Sequence, residues 1–333
     1  MKRYIVTGAA GHLGSTILRL LLERGHNEEM QIRALLLPKE TPAVEDGRIQ
    51  YFRGDVRDKA ALAPLFAGGN GGETIVLHTA GIITIASRVE PAVREVNVGG
   101  TANMLEVSRQ HHVQKFVHVS SVHAIPEAPI GETIREVNSF SAGAVTGGYA
   151  KTKAEATQLV LDAAAEGLPA VIVHPSGIIG PYDPGRNHLV QLVRDFMKGK
   201  LAVCVRGGYD FVDVRDVAEG CLLAAERGVP GQCYILSGHY LSVKELLTRA
   251  GTFCGRKGPA IIPLWLARLA APLIEGIAKL RKTRPLYTGY SLHTLTSNGC
   301  FSNEKAKQDL GYRTRPVDET IRDMVDYLSK MES

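Results

Sequence analysis

The chain has 333 residues, of which 44% are hydrophobic and 22% charged, with a formal net charge of +5. That length buries a large core, as one domain or as a domain with an appended lobe, and the composition is that of an ordinary globular protein. The positive charge is spread without a block of like sign, so nucleic acid is not implied, although an anionic ligand meets a mildly favourable field. Cys204, Cys221, Cys233, Cys254 and Cys300 show neither C-x-x-C spacing nor His partners at ligand distance. This fits buried thiols in a reducing compartment and argues against structural zinc, so no metal is expected. Met1-Lys2-Arg3 leads straight into a strand-like run with no secretory leader read there. The longest apolar stretch, Ile261 to Leu280, is broken by Pro263, Arg268, Pro272 and Glu275 and makes a poor membrane span. The expectation is a cytoplasmic protein without a membrane span.

Tyr4 to Val6 reads as a short buried strand, and Leu13, Ile17, Leu18, Leu21 and Leu22 recur with helical spacing after it. Between them lies Thr7-Gly8-Ala9-Ala10-Gly11-His12-Leu13-Gly14, with glycines spaced G-x-x-G-x-x-G instead of G-x-G-x-x-G. An ordinary tight turn uses such glycines too. The functional reading is that they let a pyrophosphate approach the helix N-terminus, where free N–H groups and the dipole favour an anion. Gly8, Gly11, His12, Leu13 and Gly14 are therefore candidate cofactor contacts.

Further apolar runs follow at Ile32–Leu37, Gln50–Phe52, Thr74–His78, Lys115–Ser120 and Ala170–His174. Helical patterns at Leu13–Arg24, Lys59–Phe66, Val93–His111 and Tyr149–Glu166 alternate with them. This alternation predicts an α/β fold, a doubly wound parallel sheet of the Rossmann type, whose ligands sit at the carboxyl ends of the strands. After the second run comes Leu37-Pro38-Lys39-Glu40. An acid at the strand end usually accepts from a free ribose 2′-hydroxyl. Here Leu37 stands there with Lys39 and Arg33 nearby, which favours NADP(H) over NAD(H); Lys39 as a plain solvated lysine is the competing reading. After the third run, Asp55 of Gly54-Asp55-Val56 either accepts from an adenine amino group or caps the helix beginning near Asp58. After the fourth, His78-Thr79-Ala80-Gly81 offers small residues against which a cofactor can lie. Asn97 either belongs to the site or ties two loops together. After the fifth come Ser120 and Ser121.

Tyr149 and Lys153 are four apart and share a helix face. A phenol with an ordinary pKa of about 10 exchanges protons poorly near neutrality, and a nearby ammonium lowers that value. A serine hydroxyl from a neighbouring strand end then holds a substrate carbonyl. A solvated helix face is the plain alternative for Tyr149 and Lys153.

Taken in order, the glycine turn, Asp55-Val56, His78-Thr79-Ala80-Gly81, Asn97-Val98-Gly99-Gly100-Thr101, Val119-Ser120-Ser121 and Tyr149-x-x-x-Lys153 resemble the extended short-chain dehydrogenases/reductases. That family also contains the NAD-dependent epimerases and dehydratases. His174-Pro175-Ser176-Gly177-Ile178-Ile179-Gly180-Pro181, Phe211 to Ala218 and Ser302 to Tyr312 extend the likeness over nearly the whole chain. The resemblance implies that Tyr149 is the catalytic acid/base and that Lys153 lowers its pKa and holds the nicotinamide ribose. It gives Ser121, or Ser120 one residue earlier, the substrate oxygen, and Pro175 and Ser176 the nicotinamide wall. It also implies a homodimer through the helices beginning near Val93 and Tyr149.

Beyond Pro181 the alternation fails. Asn187–Lys198 and Val243–Phe253 are helical in pattern, Phe211–Arg227 reads as a strand segment and a helix, and Gln232–Leu236 as a strand. The expected division is a dinucleotide-binding domain of residues 1–180 and roughly 208–238, and a smaller C-terminal substrate lobe of roughly 181–207 and 239–330. The connection from Val122 to Gly148, rich in Gly, Ser and Ala, suits a mobile substrate loop; its His123 reads as structural or solvated. Sugar-nucleotide members of the family carry an Arg before the Asp-Tyr/Phe pair, where it binds a diphosphate. This chain has Tyr209-Asp210-Phe211. Together with the apolar stretch around Trp265, that resembles the dihydroflavonol-reductase and 3β-hydroxysteroid-dehydrogenase branches. The implied substrate is a mostly hydrophobic small-molecule ketone, aldehyde or alcohol. A sugar-nucleotide epimerase or dehydratase with tightly bound NAD is the second expectation, and a cofactor-sensing regulator the third.

Overall fold

The structure is a computed structural model that describes residues 1–25, 30–68, 73–183, 187–263, 265 and 289–332. Its centre is a seven-stranded parallel sheet in the order β10-β6-β5-β4-β1-β2-β3. The strands are β1 (Lys2–Thr7), β2 (Met30–Leu36), β3 (Ile49–Arg53), β4 (Thr74–His78), β5 (Lys115–Val119), β6 (Ala170–Pro175) and β10 (Cys233–Leu236). β4, β6 and β10 are buried at every residue, as expected of strands covered by helices on both faces. The chain winds outward from β1 through β2 to β3, then crosses back to lay β4 on the other side of β1. That reversal opens a crevice at the carboxyl ends of β1 and β4, where ligands of such sheets bind.

Helices α1 (His12–Arg24) and α7 (Val214–Arg227) cover one face, and α2 (Lys59–Phe66), α4 (Thr101–Gln110) and α5 (Gly148–Ala165) the other, each with its own apolar cluster. The helix read at Val93–His111 is composite. A four-residue α-turn, α3 (Pro91–Arg94), and a π-helical segment, Glu95–Gly100, lead into α4. Asn97 lies in the π segment, where such bulges recur at functional sites.

A third cluster joins α6 (His188–Met197), α8 (Val243–Cys254) and the C-terminal helix Val317–Glu332. A three-stranded sheet of β7 (Gly177–Ile179), β9 (Gly208–Asp213) and β11 (His239–Ser242) borders it. Of the 208–238 stretch, α7 and β10 therefore join the large sheet and β9 the small one. Ala306, Leu310 and Tyr312 pack into the cluster of α1 and α7.

The connection after β5, read in the sequence as suited to a mobile substrate loop, also supplies core residues. Val122, Ala124, Ile125, Ile134, Phe140 and Val145 are buried, and Ile134 exchanges backbone hydrogen bonds with Cys300 and Ser302. A composition rich in Gly, Ser and Ala concealed core residues that are spaced irregularly along the segment. Ile261, which opens the long apolar stretch, belongs to a short strand, Ala260–Ile262, paired with Val203–Val205. Trp265 is 63% exposed, and residues 264 and 266–280 of that stretch lie outside the described residues. Among the described residues no helix is long and apolar enough to cross a membrane.

Candidate active site

Gly8 and Gly14 are where the glycine turn has no alternative. Gly8 has φ +67°, and a Cβ there would sit 2.9 Å from the Ala80 nitrogen. A Cβ on Gly14 would lie 2.2 Å from the Gly8 carbonyl oxygen. The turn packs backbone on backbone and delivers the first turn of α1 to the crevice, with no acidic side chain there to compete with an anion. These features fit a dinucleotide's pyrophosphate.

Below the turn, hydrogen-bond donors and acceptors fall into a single order. The Thr101 hydroxyl donates to the Asn97 carbonyl at 2.7 Å and accepts from His78 Nε2 at 3.1 Å. His78 Nδ1 therefore accepts from the Thr7 hydroxyl at 2.8 Å, which in turn accepts from the Ala80 N–H at 3.2 Å. Burial pushes His78 down to about 3 and keeps it neutral. The chain of bonds fastens the Thr79–Gly81 strand end to the glycine turn. Asn97 completes the frame as a tie. Its Oδ1 accepts from Ile82 N–H at 2.7 Å, and its Nδ2 donates to the Ile82 carbonyl and the Thr152 hydroxyl, each at 3.0 Å.

Tyr149 is 7% exposed at the head of α5. Burial pushes its phenol well above the usual range, a hydrogen bond with the Ser121 side chain works against that, and neighbouring Tyr290 adds to it. Lys153, one turn on, donates to the Val119 carbonyl at 2.8 Å and is pushed down to about 8 by burial. The sequence expected the ammonium to dominate the phenol; in the structure burial does. The two serines separate cleanly. The Thr157 hydroxyl donates to the Lys153 carbonyl at 2.7 Å, so Ser120 gives its proton to Thr157 at 2.6 Å, and Ser121 is the one bonded to Tyr149. His174 Nδ1 donates to the Ser121 carbonyl at 2.9 Å and fixes its backbone.

One cavity of about 770 Å³ runs from the glycine turn past Tyr149 into the small sheet, a size that holds a small ligand. Gly8, Gly11, His12, Leu13, Gly14, Thr79, Gly81, Ser121, Tyr149, Lys153, Pro175 and Ser176 all line it. Lys39, Asp55, Val56 and Ala80 are not on its wall. Lys39 is exposed on the loop after β2, and Val56 belongs to the core. Asp55 accepts from Arg57 through both carboxylate oxygens, and Asp58 is the residue that caps α2. Arg33, counted toward NADP(H), turns away: its guanidinium donates to the Leu65 and Ala67 carbonyls at 2.8 and 2.7 Å. Glu40 lines the cavity instead, its carboxylate accepting from the Leu37 N–H at 3.0 Å.

Residues 4–237 match the sequence profile of the NAD dependent epimerase/dehydratase family. The chain belongs to this family. It is an NAD(P)-dependent oxidoreductase of the extended short-chain dehydrogenase/reductase type. It is 30% identical over 321 residues to sterol demethylase protein B of Methylococcus capsulatus, covering 92% of each chain. It is 31% identical to the 4-hydroxy-2-methyl-3-oxo-4-farnesyl-3,4-dihydroquinoline-1-oxide ketoreductase of Stigmatella aurantiaca, covering 94% of this chain and 92% of that one. The crystal structure of gox2253 superposes with a TM-score of 0.82 at 30% identity, over 99% of this chain and 98% of that one.

For this oxidoreductase, three groups beside Tyr149 escaped the sequence reading. His123, set aside as a loop histidine, stands edge-on to the Tyr149 ring at 6.2 Å between centroids. Tyr209 hydrogen-bonds His123 at 2.7 Å; the sequence marked it only as a missing arginine. Tyr290 approaches His123 at 3.5 Å from the helix Gly289–Thr296, and no motif in the sequence marks it. His123 reaches the cavity from a 3₁₀ turn, Val122–Ala124, capped by Ser121, and no local pattern in the sequence marks it.

Proposed function

We propose that the protein interconverts a ketone or aldehyde and an alcohol on a mostly hydrophobic small molecule, with Tyr149 as the acid/base. Ser121 holds the substrate oxygen, and Lys153 with the glycine-turn residues holds the cofactor. The bound nicotinamide supplies or accepts the hydride. In the reducing direction Tyr149, kept protonated by burial, gives its proton to the oxygen that forms, while Ser121 holds that oxygen in place. Lys153, pushed down to about 8 by burial, still carries its proton near neutrality and stands beside Tyr149 as a cation.

The observation that carries the reading is the continuity of one cavity from the glycine turn to Tyr149 and on to a neutral aromatic wall. Tyr209 stands where an arginine would receive a diphosphate, and Ile83, Leu189, Leu192 and Phe211 line the same space. The two relatives described are named for sterol and farnesyl-quinoline substrates, which agrees with a greasy pocket. Changing Tyr149→Phe is expected to lower kcat at least a hundredfold against a panel of apolar ketones, with cofactor affinity by thermal shift little altered. Activity that survives nearly intact removes Tyr149 from the role.

For the dinucleotide, the withdrawal of Arg33 and the presence of Glu40 on the cavity wall support NAD(H) over the NADP(H) expected from Lys39. A carboxylate accepts from a ribose hydroxyl and repels a phosphate. A larger thermal shift with NADP(H) than with NAD(H) would return the choice to Lys39. A homodimer through α4 and α5 completes the proposal, and a monomeric mass by light scattering at micromolar concentration would refute it.

A further inference from the structure

His123, Tyr209 and Tyr290 form a small closed system of hydrogens. The imidazole stacks on Tyr209 at 5.6 Å and 19°. Its Nε2 meets the Tyr209 hydroxyl at 2.7 Å and its Nδ1 the Tyr290 hydroxyl at 3.5 Å. Burial pushes His123 down to about 4, so near neutrality the ring carries one hydrogen. Burial also pushes both phenols up, Tyr290 to about 12, so each keeps its own. Three hydrogens serve two contacts. If Nε2 donates to Tyr209, Tyr290 donates to Nδ1 and the Tyr209 hydrogen is left over. If Tyr209 donates to Nε2, Nδ1 donates to Tyr290 and the Tyr290 hydrogen is left over. Either tautomer leaves at least one hydroxyl free to donate. Thr294, which hydrogen-bonds the Tyr290 side chain, is the acceptor at hand before substrate arrives.

All three side chains line the same cavity as Tyr149 and Ser121. In the tautomer that leaves the Tyr209 hydrogen over, that buried donor is not served by Thr294, so a ligand that accepts from it gains affinity. The triad is neutral and Glu127 adds negative potential beside it, which disfavours a carboxylate or a phosphate. We infer that His123, Tyr209 and Tyr290 form a subsite for a second, uncharged acceptor oxygen of the substrate, a few carbons from the carbon that reacts at Tyr149. The inference rests on the proposed function and names the substrate class more closely: a hydrophobic molecule with two oxygens, one reacting and one recognised.

The test is calorimetric titration of the cofactor-loaded protein with two probes, a decalone and the matching decalin-dione. The intact protein is expected to bind the dione about tenfold more tightly, the worth of one hydrogen bond. Tyr209→Phe and Tyr290→Phe are each expected to keep part of that preference, because the imidazole tautomer moves the spare hydrogen to the remaining hydroxyl. The double substitution leaves only a displaced ring N–H, and the ratio falls to about one. His123→Phe frees both hydroxyls and keeps the preference. A ratio near one in the intact protein, a ratio that survives the double substitution, or one that His123→Phe abolishes overturns the subsite. Binding is read without turnover, so a protein that shows the expected ratios yet reduces neither probe overturns the proposed function and leaves the subsite standing.

Discussion

Asp210 shows how a single buried residue shapes the site from behind. It is 4% exposed and accepts from the Ser176 hydroxyl and from the Gly238 N–H at 2.7 Å. Ser176 lines the cavity, so Asp210 holds part of the wall and the turn after β10 together. Burial pushes Asp210 up to about 6, against the two hydrogen bonds, which pull it down. An acid whose folded pKa lies above its unfolded value of 3.8 binds its proton more tightly when folded. Its charge therefore costs stability as pH rises from about 4 to about 6, and that cost is complete above. Asp210→Asn keeps an acceptor oxygen and removes the charge. Its unfolding free energy is expected to match the parent below pH 4 and to exceed it above pH 6, by on the order of 2–3 kcal/mol. Melts recorded from pH 3.5 to 8 check this, and a difference that does not change with pH would refute the burial argument. Asp210 was visible in the sequence only as a neighbour of Tyr209. Nothing local to Asp210 tells that Ser176 and Gly238 converge on it, because both arrive from other strands.

At the scale of elements, the junction of β1 with α1 carries the most demanding geometry. Gly14→Ala is expected to cost cofactor binding before it costs the fold. The added Cβ would lie 2.2 Å from the Gly8 carbonyl, so the glycine turn proposed to hold the cofactor must move. The thermal shift produced by saturating NAD(H) should largely vanish, while the free protein loses a few degrees. An unchanged ligand-induced shift would show that the turn does not hold the cofactor. This junction was legible because three local signals coincide: a strand-length apolar run, glycines and a helical repeat. The same signals placed β4 and α2 at their observed bounds. The π segment at Glu95–Gly100 was not legible. Its sequence, EVNVGG, carries no local mark of a π turn, and the partners of its Asn97, Ile82 and Thr152, lie far off in the chain, one in a loop and one on α5. The core residues of the segment after β5 were hidden for a related reason. Core residues spaced irregularly in a loop have no period to detect.

At the scale of the whole molecule, the lobe is joined to the sheet through α7. Asp213 caps that helix by accepting from the Arg215 N–H at 2.7 Å, and its buried carboxylate also receives the Arg215 guanidinium at 2.8 Å. Arg215 reaches on to Asp323 of the C-terminal helix at 2.7 Å. Arg315 closes the loop from the other side, with Nε 2.7 Å from Asp216. The C-terminal helix carries Ile321, Met324, Val325 and Leu328 into the core of the lobe, so these ion pairs set its position against α7. Arg215→Met would leave the Asp213 carboxylate in place with Arg315 at 3.7 Å as the remaining cation. The Asp213 side chain is fully buried, and removing one partner of a buried pair costs about 3–5 kcal/mol. The expected result is a melting temperature lower by about 5 °C. The double variant Asp213→Asn with Arg215→Met is expected to recover most of that loss. Asparagine caps a helix about as well as aspartate, and no uncompensated charge is left in the interior. If the double variant melts no higher than Arg215→Met alone, the penalty comes from lost packing of the arginine stem and not from the stranded carboxylate.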